Sequence, residues 1–368
     1  MKIFIIAGEP SGDEYGAKLI TALKNDSPNL SINGIGGPLM EKQGLNSMVP
    51  LNQIAVMGFG EVIKKIKFFI NLEKRILRFL KKNKPDKIIL IDYPGFNLRV
   101  AKKIKKISNI KIIYYISPQI WAWKEKRINT IKKYVDILLV IFEFEKIWYE
   151  KRGVAAHYVG HPFLDIWKPG IQNDNFYKKY NINSEQPILT LFPGSRNQEL
   201  ERHLSLFVES ALAIKRQVPN LQILLGLHPE LKLNSQINDE IIIVQDNPLK
   251  ALEISNAAII SSGTATLQSA IMETPAVVVY KMNWFSWLIT KLLVKVKFAS
   301  MANIIMNEEL YTEYLQHKAT KLNIVNGVLK ILNDKAYYDL LMNKIKMLKQ
   351  KIGAPGASNK AAKLIEKV

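Results

Sequence analysis

The sequence predicts a doubly wound α/β protein made of two similar units. Three observations predict it. Short apolar runs rich in Ile, Val and Leu recur along the chain without polar alternation, as in parallel strands covered on both faces. Longer stretches of helical period separate these runs. A polar segment without strong period divides the alternation in two.

The elements follow in order. Lys2 to Ala7 is the first strand, because its apolar run is too short for a signal peptide with its cleavage site. Gly8 to Asp13 is a turn that opens a helix, whose period is clear over Lys18 to Lys24. Val62 to Lys82 is helical, Lys87 to Ile91 a strand, and Leu98 to Lys106 a helix. Strands follow at Lys111 to Ile116 and Ile137 to Ile141. The boundary lies between Gly160 and Pro187, in a stretch holding Pro162, Pro169, Gly170 and a polar run from Gln172 to Gln186. The second unit has strands at Ile188 to Phe192, Gln222 to Leu227, Ile241 to Val244, Ala257 to Ile260 and Ala276 to Tyr280, with a helix over Arg202 to Gln217. The tail, Ala336 to Val368, reads as a helix, a break at Gly353-Ala354-Pro355-Gly356, and a final helix.

Bulk properties narrow the class. The 368 residues suffice for two domains of about 150 to 200 residues each. The absence of cysteine excludes disulfides and thiolate metal sites. The five histidines (His157, His161, His203, His228, His317) are scattered, with no pair at metal-ligand spacing on a helix. No window of about 18 uncharged apolar residues exists, so no transmembrane helix is expected. Residues 1–168 carry 29 Lys and Arg against 15 Asp and Glu, a net of +14; the remainder carries 23 against 17, a net of +6. A first half this basic suits an anionic partner (nucleic acid, phosphorylated lipid or membrane surface), unless the lysines are simply solvated surface.

Four turns and two apolar stretches carry the candidate chemistry. Pro193-Gly194-Ser195-Arg196 and Ser262-Gly263-Thr264-Ala265-Thr266 each follow a strand and open a helix. Two such turns offer backbone N–H groups and helix N-termini to one anionic ligand, and Arg196 adds a fork of donors suited to a diphosphate. Gly8-Glu9-Pro10-Ser11-Gly12-Asp13 is either a ligand-facing turn or a plain βα turn capped by Ser11 or Asp13. It lacks the Lys of a P-loop and the spacing of a dinucleotide fingerprint. Asp92, at the carboxyl end of a strand and followed by Tyr93-Pro94-Gly95-Phe96-Asn97, is either a general base or a helix cap. Trp121 and Trp123 either pack or bind, and His161 at the boundary reads as a hinge or capping residue. Val62 to Lys84 interleaves apolar residues with nine basic residues and one acid, Glu73. Asn283 to Met301 places Trp284, Phe285, Trp287, Leu288 and Phe298 beside Lys291, Lys295 and Lys297. Both suit an anionic bilayer, the alternative being core-facing helices with a solvated Lys face.

In order along nearly the whole chain, these motifs resemble the lipid-A-disaccharide synthases, family 19 of the glycosyltransferases. The set is completed by Gly36-Gly37-Pro38-Leu39-Met40, Ala55-Val56-Met57-Gly58, Ser117 to Trp123 and Val159-Gly160-His161-Pro162. The resemblance implies a GT-B fold: Rossmann-like domains over 1–165 (acceptor) and 166–345 (UDP-sugar) facing a cleft, with 346–368 crossing back to the first. It implies an inverting transfer from UDP-2,3-diacylglucosamine to 2,3-diacylglucosamine 1-phosphate (lipid X), giving the β-1,6 disaccharide 1-phosphate and UDP. Asp92 would be the base. Gly194, Ser195, Arg196, Ser262, Gly263, Thr264, Ala265, Thr266, Gln268 and Asn303 would hold the nucleotide sugar. Glu9, Ser11, Gly12, Asp13 and Asn97 would hold the acceptor. Trp284, Phe285, Trp287, Leu288 and Phe298 would touch the membrane.

No metal and no cofactor is expected, and no nucleic acid. The enzyme would be cytoplasmic and peripheral on the inner face of the cytoplasmic membrane. A homodimer fits the segment exchange of some members. The sequence departs from the family pattern at Gly95, where a second acid is usual, and at Gln268, where Glu is usual. It departs again at Ser300-Met301-Ala302-Asn303, which stands for Ser-Leu-Pro-Asn. The alternative within this fold is an undecaprenyl-linked GlcNAc transferase or a UDP-sugar epimerase.

Overall fold

The structure, a computed structural model, describes residues 1–54, 66–170, 173–229, 231–233, 236–284, 287, 288, 290 and 294–368. Two compact units make up the chain. The first comprises Met1–Trp167 with Ile352–Val368, the second Lys168–Lys351.

The first unit holds a seven-stranded sheet. Its strands are β1 (Lys2–Ala7), β2 (Ser31–Ile35), β3 (Leu45–Ser47), β4 (Lys87–Ile91), β5 (Lys111–Tyr115), β6 (Ile137–Val140) and β7 (Ala156–Tyr158). Their order is β3-β2-β1-β4-β5-β6-β7, every pair parallel. The second unit holds β8 (Ile188–Phe192), β9 (Gln222–Gly226), β10 (Ile241–Val244), β11 (Ala257–Ile260), β12 (Ala276–Tyr280) and β13 (Glu313–Leu315). Their order is β10-β9-β8-β11-β12-β13, again all parallel.

In each sheet the strand order reverses beside the unit's first strand, between β1 and β4 and between β8 and β11. Ligands of open α/β sheets bind outside the carboxyl ends of the strands at such a switch point. The four polar turns of the sequence are the turns that follow β1, β4, β8 and β11.

The central strands are buried on both faces, so β1, β4, β8, β11 and β12 match their apolar runs. Four strands were not legible in the sequence: β2, β3, β7 and β13. Three of them are only three residues long, and β2 reads Ser-Ile-Asn-Gly-Ile.

The helix Ile66–Asn83 settles one of the two basic apolar stretches. Phe69, Leu72, Ile76 and Leu80 sit in the core with Phe4, Ile88 and Leu90, while the lysines face outward. Its one acid, Glu73, is buried and pairs with Arg99 and Lys103. This stretch is a core-facing helix whose outward face carries the lysines with Ile66 and Ile70; residues 62–65 lie outside the described residues.

The last helix, Ala357–Glu366, packs on the helix Pro10–Asp26 of the first unit. Both its ends are tied. Asp165 accepts from the N–H of Ser358 at 2.7 Å and from that of Gly356. Lys87, reaching from the first residue of β4, donates to the carbonyls of Ile365 and Glu366. A carboxylate at the N-terminus and an ammonium at the C-terminus both complement the helix dipole. Among the described residues no helix is long and apolar enough to cross a membrane.

Candidate active site

At the first switch point the chain is bent by force. Asp92 and Tyr93 both take left-handed backbone angles, φ 41° and 48°. Non-glycine residues pay about 1 to 3 kcal/mol each for such conformations. Buried hydrogen bonds hold them there. Asn97 donates to the carbonyls of Ile91 (3.1 Å) and Asp92 (2.7 Å), and the Tyr114 hydroxyl donates to the Asp92 carbonyl at 2.6 Å. Pro94 then starts the helix Pro94–Ile104. Tyr93 lies over Gly8: a Cβ there would come within 2.4 Å of its ring. The two turns of the first switch point are thereby locked together.

The Asp92 carboxyl is half-buried and pushed up to about 7, first by burial and next by the negative charge of Glu9. A carboxyl at that value can take a proton at neutral pH and still be ionised in a large fraction of molecules. Next along the sheet, Glu145 is also raised to about 7 by burial. It accepts from the Trp121 indole N–H at 3.0 Å and from the N–H groups of Ile141 and Phe142. So Trp121 is a packed residue, edge-on to Phe144. His161 is buried against Phe142 and Tyr15, and burial lowers it to about 3. It is a neutral structural imidazole whose Nδ1 accepts from the Phe163 N–H.

At the second switch point Gly194 has φ 130°, and a Cβ there would meet the Glu199 side chain at 2.5 Å. The helix Asn197–Lys215 follows. Its Glu199 carboxylate accepts from the Ser195 N–H (3.1 Å) and from the Arg196 guanidinium (3.2 Å). An anion therefore already rests on the donors assigned to the diphosphate. The Arg196 side chain is 45% exposed, which leaves most of its fork available. Beside it, Gly263 (φ 117°) caps the helix Thr264–Ile271, with open space where a Cβ would stand. Thr264 is exposed, and Ala265 and Gln268 are half-buried. Ser262 donates to the Ala299 carbonyl at 2.8 Å. His203 ties the site together: its Nε2 accepts from the Lys281 N–H, so its Nδ1 donates to the Pro193 carbonyl.

The lipid-A-disaccharide synthetase family model matches residues 3–368. The lipid-A-disaccharide synthase of Coxiella burnetii is 36% identical over 366 residues, covering 99% of this chain and 97% of that protein. The chain belongs to the lipid-A-disaccharide synthetase family. A second relative, lipid-A-disaccharide synthase 1 of Legionella pneumophila, is 34% identical over 362 residues, covering 97% and 94%. Among solved structures, the UDP-GlcNAc 2-epimerase of Neisseria meningitidis bound to UDP-GlcNAc superposes with a TM-score of 0.69 at 11% identity, covering both chains fully. At that identity the likeness is one of fold alone, the GT-B fold. As a member of the synthetase family the chain is a glycosyltransferase of lipid A disaccharide synthesis.

Within this family site, the structure moves five expected ligand contacts inward. Asp13, expected at the acceptor, is 3% exposed and caps the short helix Pro38–Lys42, accepting from the N–H groups of Gly37, Leu39 and Met40 at 2.8 to 3.0 Å. Gly12 is buried against Ala7 of β1. Asn97 is fully buried beneath Asp92. Thr266, expected at the nucleotide, is fully buried, donating to Gly263 O and accepting from Met301 N. Asn303 is fully buried too. It donates to the Tyr311 carbonyl and the Glu313 carboxylate and accepts from the N–H groups of Leu310 and Tyr311. In this structure all five are buried within their own unit. Glu9 and Ser11 remain partly exposed at the first switch point.

Residues that sequence reasoning passed over include Tyr93, Tyr114, Glu145, Glu199 and Glu313. Only Glu199 had a usable signal, an acid in the first turn of the helix after Arg196. Of the expected membrane contacts, Trp284 is 76% and Leu288 47% exposed, while Trp287 and Phe298 are half-buried. Phe285 lies outside the described residues. Among the described residues no three His, Asp or Glu side chains cluster to hold a metal ion.

Proposed function

We propose that this transferase joins UDP-2,3-diacylglucosamine to O6 of lipid X, with inversion, giving the β-1,6 disaccharide 1-phosphate and UDP. The observation that carries this reading is Asp92, a carboxyl raised to about 7 on a strained turn at a sheet's switch point. Asp92 takes the proton of the acceptor 6-hydroxyl as O6 attacks the donor's anomeric carbon. The bond from that carbon to the diphosphate oxygen breaks, and UDP leaves with the electron pair. Arg196, with the N–H groups of Ser195 and Thr264 at two helix starts, meets the charge that grows on the diphosphate. Glu199 holds Arg196 and the Ser195 N–H in place until the diphosphate displaces it.

Both substrates carry acyl chains, so a membrane surface is the proposed workplace, on its cytoplasmic side. Exposed Trp284 and Leu288, together with the basic first half, support that reading. A homodimer remains part of the proposal, to be checked by light scattering. The test of function is product formation from UDP-2,3-diacylglucosamine and lipid X in mixed micelles with EDTA. Product under EDTA supports the reading and metal independence together. No product, with UDP still bound, would point to other substrates on this fold.

A further inference from the structure

The end of β5 carries a charged feature that the reaction described so far does not use. After Ser117 the loop runs to Trp123, Lys124 and Arg127. The Lys124 ammonium lies 4.2 Å from the centre of the Trp123 ring and the Arg127 guanidinium 5.7 Å from it. Two like charges thus stand over one aromatic ring and repel each other, an arrangement that an anion between them would stabilise. Lys124 takes a left-handed backbone angle, φ 55°, to stand there.

The acid between them in sequence, Glu125, pairs with Arg152 at 2.9 Å. Among the described residues no carboxylate forms an ion pair with Arg127, which is half-buried. Burial disfavours the Arg127 cation and the Tyr114 hydroxyl lies close enough to offset part of that, while the same hydroxyl, protonated, donates to the Asp92 carbonyl. The pair of cations stands on the segment that follows β5, the strand paired with β4, whose end carries the proposed base.

We infer that Lys124 and Arg127, backed by Trp123, form a subsite for a phosphomonoester, the 1-phosphate of the acceptor sugar. This rests on the transferase reading given above. In a hexopyranose 1-phosphate, the anomeric phosphate and the C6 hydroxymethyl group flank the same ring oxygen. A base and a cation pair on neighbouring loops can read both at once, so that holding the phosphate directs the 6-hydroxyl to Asp92. Arg127 supplies the planar fork and Lys124 the mobile point charge.

The experiment compares kcat/KM for lipid X and for 2,3-diacylglucosamine lacking the phosphate, in neutral detergent micelles. Wild type, Arg127→Gln, Lys124→Gln and Arg127→Lys are measured. Arg127→Gln should lower kcat/KM for lipid X about 10- to 100-fold, mainly through KM, and change the phosphate-free acceptor by less than about twofold. Lys124→Gln should do the same more weakly, and Arg127→Lys should recover part of the loss. Donor KM and the thermal midpoint should stay put.

Equal losses on both acceptors, or undiminished preference for the phosphate in the variants, would overturn the subsite. Sedimentation with phosphatidylglycerol and phosphatidylcholine vesicles separates the two phosphate sources. Loss of binding to the anionic vesicles alone, with acceptor discrimination intact, would reassign the pair to lipid headgroups and overturn the inference. If wild type makes no disaccharide from either acceptor, the transferase reading falls and the subsite with it; turnover with intact discrimination in the variants removes the subsite alone.

Discussion

Replacing Asp92 with Asn tests the chemistry and the electrostatics in one protein. The side chains are nearly isosteric, and the backbone bonds that hold the turn use the Asp92 carbonyl, which the substitution keeps. Loss of a general base should reduce kcat by about 10²- to 10⁴-fold, with UDP-sugar affinity largely kept. In wild type the carboxyl is raised from 3.8 to about 7, first by burial and then by Glu9. At about 1.4 kcal/mol per pH unit, that shift amounts to about 4 kcal/mol against the ionised form. Solvent reaching this half-buried group reduces the figure, and we expect about 1 to 3 kcal/mol in practice.

The sign follows from the direction of the shift. The folded state holds the Asp92 proton more tightly than the unfolded chain does. Its contribution is fully present below about pH 4 and is lost as pH rises through about 7. Asp92→Asn should therefore match wild type in urea unfolding near pH 4 and exceed it at pH 8. Likewise kcat/KM of wild type should fall about tenfold per pH unit below about 7 and level off above. A variant keeping more than about a tenth of wild-type turnover would refute the base assignment. An acid limb near pH 4, or no stability gain at pH 8, would refute the raised carboxyl.

Further expectations follow from the same geometry. Glu9→Gln removes a like charge from beside Asp92, so the acid limb of kcat/KM should move to lower pH by up to about one unit; an unmoved limb would separate the two groups. Arg196→Ala should weaken UDP and donor binding about 10- to 100-fold, read by calorimetry, since its guanidinium is half free for the diphosphate; unchanged affinity would remove it from the site. Asn303→Ala strands the N–H groups of Leu310 and Tyr311 and should cost about 2 to 4 kcal/mol in urea unfolding, whereas a neutral result would contradict its place as a loop anchor. Trp287→Glu with Leu288→Glu should shift the protein out of the membrane fraction, and continued sedimentation with membranes would mean that this segment packs inward.

Burial separates the elements that read cleanly in the sequence from those that do not. The runs that read cleanly, such as Ile188 to Phe192 and Ala257 to Ile260, lie in the sheet interior and must be apolar on both faces. Ser31–Ile35 and Glu313–Leu315 did not read as strands, because few or polar residues are paired only once their neighbours are in place. The four site turns were legible because Gly, Pro, Ser and Asp must follow a strand that ends abruptly at a helix. Their division into lining and supporting residues was not. Asp13 and Asn97 look as reactive as Asp92 in a line of sequence. Yet the Asp13 carboxylate is spent on N–H groups 24 to 27 residues away, and Asn97 on the carbonyls beneath Asp92.

The sequence by itself determined the alternation of strands and helices, the division into two units, and the position of every turn that faces a switch point. Those are local consequences of apolar period and turn chemistry. Only the tertiary structure decided the strand orders that make switch points of those turns. It alone decided that Asp92 and Tyr93 are bent left-handed by Asn97 and Tyr114, and that burial, then Glu9, lift the Asp92 carboxyl toward neutrality. The physical reason is distance along the chain: Coulomb terms, caps and desolvation join groups that sequence separates by tens of residues, and they arise when the sheet forms.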